Sequence, residues 1–277
     1  MEHEDKKESV RGVFSTQEVR KVGTGTTTKK SIQKVFWYCA EIESGENTGK
    51  MEVQNLNSNY VPSGSKRIIE MENFLQSFAP EPEFYMGTVF PRMREMNKTI
   101  ARGERHRSNQ EYYSAEMEFN NALKVDEENV RANFGLGLTY MQRGENAKAE
   151  DILSRIVKLD AAFEQEHKHL FNEFGIQLRK NKMYGNAIAY YARALELSKH
   201  DENIYHNIAR ACLEHNQPDK AVDYLLEGLK LNQSMGENMR FLLWMLSKGL
   251  VPETKKAAVA GALKRGQPEN FAPPADA

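Results

Sequence analysis

An alanine returns on a fixed beat through the second half of the chain: Ala115 and Ala149 stand 34 residues apart, as do Ala187 and Ala221. A period of that length belongs to stacked helix-turn-helix units, so it constrains the fold before any local propensity is weighed. Aligned on those alanines, the sequence divides into windows 96–129, 130–163, 168–201 and 202–235, with residues 164–167 inserted between the second and third. Twelve places before each alanine sits a small residue, Gly103, Gly137, Gly175 or Ala209. One place earlier come Arg102, Leu136, Phe174 and Ile208, and three places after the small residue come His106, Tyr140, Leu178 and Cys212. Beyond the alanine follow Phe119, Leu153, Tyr191 and Leu225, then Ala122, Ile156, Ala194 and Gly228. Two antiparallel helices approach closely only where their crossing is small, and the larger residues fill the space around it. No single unit buries its own apolar face, so the units must stack.

This spacing resembles the tetratricopeptide repeat family, whose pattern is W-x2-L-G-x2-Y, then A-x3-F, then A and P. The resemblance implies a mainly α fold: a right-handed α-solenoid of about four helix-turn-helix repeats over residues 96–235. Capping helices are expected over 236–266, a β-hairpin and helix region over 31–95, a flexible arm over 1–30 and a disordered tail over 267–277. The family's terminal Pro is replaced by Glu127, Ala161, Lys199 and Gln233, and its Trp by Thr99, Asn133, Phe171 and Tyr205. The first window is the most polar, with Thr99, Arg102 and His106 at core positions. Turns are expected at 143–146 and 216–219, between the helices of their repeats.

The resemblance also implies which residues line a concave groove, since the first helix of each repeat faces it. Carried over, these are Asn97, Ile100, Ala101, Glu104 and Arg107; Arg131, Phe134, Leu138 and Met141; His169, Asn172, Glu173, Ile176 and Arg179; and Asn203, His206, Asn207 and Arg210, with Gly135 and Leu213 alongside. A partly apolar floor with a mixed charged rim suits a peptide or amphipathic helix of a partner protein. The alternative is that Phe134, Leu138 and Ile176 only pack against neighbouring helices. A clamp for acidic chain ends is excluded, because Phe134, Leu138 and Glu173 stand where Lys, Asn and Asn would be needed, and Glu173 repels an acidic ligand.

Before the repeats, Val35–Ala40 and Met51–Gln54 flank a turn with two glycines and read as a β-hairpin. The first strand is apolar on both faces, so it needs cover on both: packing within the chain is favoured, and strand pairing in a homodimer is the alternative. Residues 65–78 are expected to be helical, with Ser65 as cap and Ile68, Met71, Leu75 and Phe78 inward. A helical run from about Thr88 leads into the first window. After the last window, Met239, Leu242, Leu243 and Leu246 mark a covering helix, and 253–265 a basic amphipathic one.

Charge and chemistry narrow the function. The chain has 277 residues and a net charge of -1, which gives no global field toward nucleic acid or membrane. No stretch is long and apolar enough for a membrane span, and the charged N-terminus lacks a leader pattern, so a cytoplasmic location is expected. Two cysteines make no disulfide framework, and Cys212 reads as a buried thiol. Lys29-Lys30-Ser31 lacks the Gly and the strand-to-helix context of a phosphate loop. His167 and His169 point to different faces of a helix, and no nucleophile or acid-base pair has a recognisable setting. We therefore expect no catalytic residues, metal or cofactor, and a non-catalytic adaptor or scaffold. The alternative is a nucleic-acid-associated regulator using the aromatic hairpin and the bases Arg20, Lys21, Lys29, Lys30 and Lys34. The arm around Phe14, Val19 and Val22 is a candidate occupant of the groove.

Overall fold

The computed structural model describes residues 9–22, 29–197, 201–232 and 236–265, in two compact units, Met1–Thr139 and Tyr140–Ala277. The ends of the expected arm, 1–8 and 23–28, and the tail 267–277 lie outside the described residues.

The first unit begins with strand, not with a flexible arm. Strand β1 (Arg11–Val22) pairs antiparallel with β2 (Lys29–Glu41) along its whole length, and β3 (Met51–Asn55), β4 (Arg67–Ile69) and β5 (Ala79–Pro80) complete a sheet of order β4-β3-β2-β1-β5. The expected hairpin is the β2/β3 pair, in which Trp37 faces Asn55 and Glu41 faces Met51. Phe14 lies opposite Trp37 and packs edge-on against Phe74, 4.8 Å between centroids, so it belongs to the sheet's core and is no groove ligand. The strand was hidden because a contact between residues 14 and 74 leaves no local pattern.

Cover for β2 comes from within the unit. On one face Trp37, Cys39, Met51, Val53 and Phe74 form a buried cluster, roofed by helix α1 (Met71–Ser77). On the other, Phe36 meets Phe84 at 4.6 Å and Tyr38 meets Tyr85 at 6.2 Å. With β1 and β3 on its edges as well, β2 needs no second chain. The expected helix over 65–78 is shorter than its apolar spacing suggested. Its first residues form β4, where Ile68 and Ile69 pair with Glu52 and Met51, as suits β-branched side chains. Within α1 the buried residue is Phe74, while Ile68 and Leu75 are exposed. Of the basic run, Lys34 pairs with Glu81, and the side chains of Arg20, Lys21, Lys29 and Lys30 lie outside the described ones.

Helix α2 (Pro82–Phe84) passes through a π-helical turn (Tyr85–Val89) into α3 (Phe90–Ser108), so the helical run starts before Thr88. Helix α4 (Tyr112–Val125) folds back on α3, and α5 (Val130–Gln142) follows. The ring of Phe119 on α4 lodges between Gly103 of α3 and Gly135 of α5, where any Cβ would overlap it. The polar positions of the first window are met by bonding: Arg102 pairs with Glu118 at 3.1 Å, Thr99 Oγ1 donates to Glu95 O, and His106 contacts Glu111. The loop after β3 is tied to the end of α4. Asn57 and Asn59 donate to Val125 O at 2.9 and 2.8 Å, and Ser63 donates to the buried Asp126 carboxylate at 2.6 Å.

The second unit holds α6 (Asn146–Ile156), α7 (Lys168–Lys180), α8 (Tyr184–Leu197), α9 (Glu202–Glu214), α10 (Pro218–Leu231), α11 (Gly236–Ser247) and α12 (Lys256–Arg265). The inserted residues 164–167 fall in short 3-10 turns before α7. Tight turns use the left-handed backbone of Gly144 (φ 73°) and Asn216 (φ 58°), at the places expected for loops. Helices α7 and α8 enclose an aromatic cluster in which Phe171 stacks on Tyr190 at 4.8 Å. Both α11 and α12 pack on α10, covering the last repeat. The architecture is thus mainly α, built of successive helical hairpins with a small strand region in front.

Candidate functional site

Helix α5 supplies the expected anchors, and it buries them. Every residue from Ala132 to Met141 is closed to solvent, and Phe134 and Leu138 are 0% exposed. The reason lies in composition: Phe134, Leu136, Leu138, Tyr140 and Met141 cover the helix all round, and such a helix is a core helix. Thr139 Oγ1 donates to Gly135 O at 2.7 Å and Asn133 Nδ2 to Asn129 O at 2.9 Å, while the buried Asn133 Oδ1 has no hydrogen-bond partner among the described residues. Phe134, Leu138 and Met141 therefore act as packing residues here, the alternative noted from sequence. Arg131 is held by a two-pronged pair with Glu104, 2.9 Å from each carboxylate oxygen.

The second unit presents an open face instead. Its first helices α7 and α9 are neighbours, and α11 lies beyond α9. His206, Arg210, Leu213 and Glu214 of α9 meet Arg240, Phe241 and Trp244 of α11 around an opening of about 410 Å³. Spacing explains the α9 set: His206, Arg210 and Leu213 follow one another at i+4 and i+3 and share a helix face, while Ile204, Ile208, Ala211 and Cys212 are buried. On α11, Met239, Leu242 and Met245 turn inward at i+3 steps, which leaves Phe241 and Trp244 toward the opening.

Each wall is fixed by a specific contact. His206 Nδ1 lies 2.9 Å from Oδ1 of the fully buried Asn238, which holds the imidazole ring in place. The His206 ring is 5.5 Å from Phe241, which is 5.9 Å from Trp244. Arg179 of α7 pairs with Glu214 and neutralises that carboxylate of the rim. Arg210 and Arg240 are exposed and make no ion pair among the described residues. An aromatic wall 40% exposed at Trp244, beside two uncompensated guanidiniums, can take an apolar side chain with a neighbouring anion. Cys212 of α9 is fully buried and does not line the opening, and burial pushes its thiol up to about 11.

Of the expected residues, the structure brings His206 and Arg210 together and attaches Arg179 through Glu214. Asn172, Glu173, Ile176 and Asn207 are half-buried, and His169 and Asn203 are exposed, outside the opening. Asn203 instead donates from N and Nδ2 to Asp201 at the start of α9. Arg240, Phe241 and Trp244 were missed, since the repeat register ends before α11. Their signal was present: a Trp displaced from the i+3 apolar row of its helix.

Family models described as tetratricopeptide repeat match residues 100–163 and 178–235. These two stretches are tetratricopeptide repeats. Anaphase-promoting complex subunit 3 of Schizosaccharomyces pombe is 27% identical over 146 residues, an alignment spanning 53% of this chain and 21% of that subunit. This tetratricopeptide repeat chain is also similar to solved structures of three other proteins. The MamA protein has 20% identity and a TM-score of 0.43, with 62% of this chain and 89% of that one covered. The pilF protein of Pseudomonas aeruginosa has 16% identity and a TM-score of 0.40, covering 63% and 78%. YrrB, titled a TPR protein with an unusual peptide-binding site, has 20% identity and a TM-score of 0.40, covering 64% and 91%. Stacks of tetratricopeptide repeats form extended surfaces of the kind used to bind other proteins. Among the described residues no helix is long and apolar enough to cross a membrane.

Proposed function

We propose that the protein is a non-catalytic adaptor that holds a segment of a partner protein, a peptide or amphipathic helix, between α9 and α11. The observation that carries this reading is the exposed Trp244 beside Phe241, facing His206 and Arg210 of the last repeat across one opening. Exposed aromatics next to Arg are the side chains that dominate binding energy when a partner covers them. The partner would place an apolar anchor against Phe241 and Trp244, with a carboxylate toward Arg210 or Arg240. The buried Phe134 and Leu138 have no part in this contact.

Photo-crosslinking from benzoylphenylalanine at position 241 tests the reading. The partner segment should be captured there, and Trp244→Ala or Arg210→Glu should weaken its binding by about tenfold or more while thermal stability holds, as expected of an exposed hot spot. Capture that survives both substitutions would remove this opening from the function.

A further inference from the structure

The first unit carries a second opening, of about 480 Å³, between the sheet and α3, where Asn97 and Ala101 of the first window meet side chains from β1, β2 and the π-helical turn. Its floor is aromatic. Tyr38 projects from the outer face of β2, Tyr85 comes from the π-helical turn, and Phe90 begins α3, with centroids 6.2 Å apart for Tyr38 and Tyr85 and 5.8 Å for Tyr85 and Phe90. The π-helical turn inserts an extra residue just where Tyr85 enters the opening, a distortion often found at functional sites.

The rim is cationic. Phe90, Arg94 and Lys98 follow at i+4 steps along one face of α3, and Arg11 closes the opposite side from the end of β1. Arg11 and Arg94 are exposed and make no ion pair or side-chain hydrogen bond among the described residues. Lys98 reaches Glu95 only at 3.8 Å, with both side chains more than half exposed, a pair that contributes little. Among the described residues no carboxylate lines the opening. Arg11 and Arg94, with no ion pair among the described residues, and the weakly paired Lys98 give this rim a local positive charge that an anionic ligand complements.

We infer that this opening docks an acidic linear segment of a partner protein, with an aromatic or aliphatic side chain on Tyr38, Tyr85 and Phe90 and carboxylates toward Arg11, Arg94 and Lys98. The volume fits a few side chains. Glu41, bonded to Val10 N beside Arg11, and Glu95, beside Lys98, flank the cations, so the opening suits a short run of carboxylates between apolar residues better than a continuing phosphate backbone.

The test is fluorescence anisotropy with a labelled peptide alternating Glu with Phe and Leu, on the full chain carrying Arg210→Glu and Arg240→Glu so that the α9/α11 opening does not contribute. Saturable binding is expected, weakening as salt rises from about 50 to about 300 mM. It should fall about tenfold or more with Arg11→Glu plus Arg94→Glu, and also with Tyr85→Ala. Circular dichroism melts of each variant establish that the fold is kept. The inference is overturned by absent binding, by equal affinity in the Arg11/Arg94 variant, by equal binding of a Lys-for-Glu peptide, or by tighter binding of an oligothymidylate than of the peptide.

Discussion

Gly175 stands on α7 where a Cβ would overlap the ring and hydroxyl of Tyr191, itself 1% exposed. From sequence the small residue was assigned to a crossing with Ala187, but what it accommodates is the aromatic side chain four places further on. Phe119, between Gly103 and Gly135, repeats the arrangement. Two effects oppose each other in Gly175→Ala: helix propensity favours Ala by up to about 1 kcal/mol, and overpacking costs about 1–3 kcal/mol. Tyr191 has nowhere to move, since Phe171 and Tyr190 bound it, so overpacking wins and the variant is expected to be destabilised. Gly185 on α8 has nothing within 4 Å of its Cβ position, so Gly185→Ala should be stabilised by about 0.5 kcal/mol. Urea denaturation of both decides, and a stabilised Gly175→Ala would refute the packing. The same distinction governs what was legible at the site. His206 and Arg210 were found because repeat register places them, whereas Phe134 and Leu138 occupy equivalent positions on a helix apolar all round, and register does not report what covers a helix.

At the scale of elements, helices were legible and strands only partly so. The 3.6-residue period of α7 to α10 is set by neighbours three and four places away, and the beat of 34 repeats it. Strand β1 is fixed by Phe14 against Phe74 and by pairing with β2, contacts that no window of sequence contains. The start of α9 shows how a local signal and a distant one combine. Asp201 caps the helix by accepting from Asn203 N at 3.1 Å, and Lys168 of α7 reaches it at 2.8 Å. Burial alone would push the Asp201 carboxyl up, but hydrogen bonds from Lys168 and Asn203, with the lysine's charge, together hold it below the usual range. A depressed carboxylate contributes stability that is complete above its unfolded value, about 3.9, and is lost as pH falls through the lower folded one. Asp201→Ala should therefore cost about 1 kcal/mol at neutral pH. That deficit should shrink as pH drops below about 4. Urea midpoints of both proteins across this range give the comparison, and a deficit that grows in acid would contradict the assignment.

For the whole molecule, a net charge of -1 makes long-range attraction negligible, so any preference for one ionic sign must arise locally. The two tryptophans report on this separately, one in each unit. Trp37 is 7% exposed, donates its indole N–H to Thr16 Oγ1 at 2.9 Å, and lies under the Arg67 guanidinium at 5.1 Å. Trp244 is 40% exposed in the opening that also holds Arg210 and Arg240. Iodide should consequently quench the native fluorescence more strongly than caesium, and almost wholly through Trp244, because a quencher must reach the indole and the local cations concentrate the anion. Trp244→Phe should remove most of the iodide effect and leave a blue-shifted, poorly quenched emission from Trp37. Arg210→Glu plus Arg240→Glu should keep the emission of Trp244 but bring iodide and caesium quenching close together. If iodide quenching persists undiminished in Trp244→Phe, the exposed aromatic wall is not where the structure puts it, and the proposed binding of a partner at α9 and α11 loses its support.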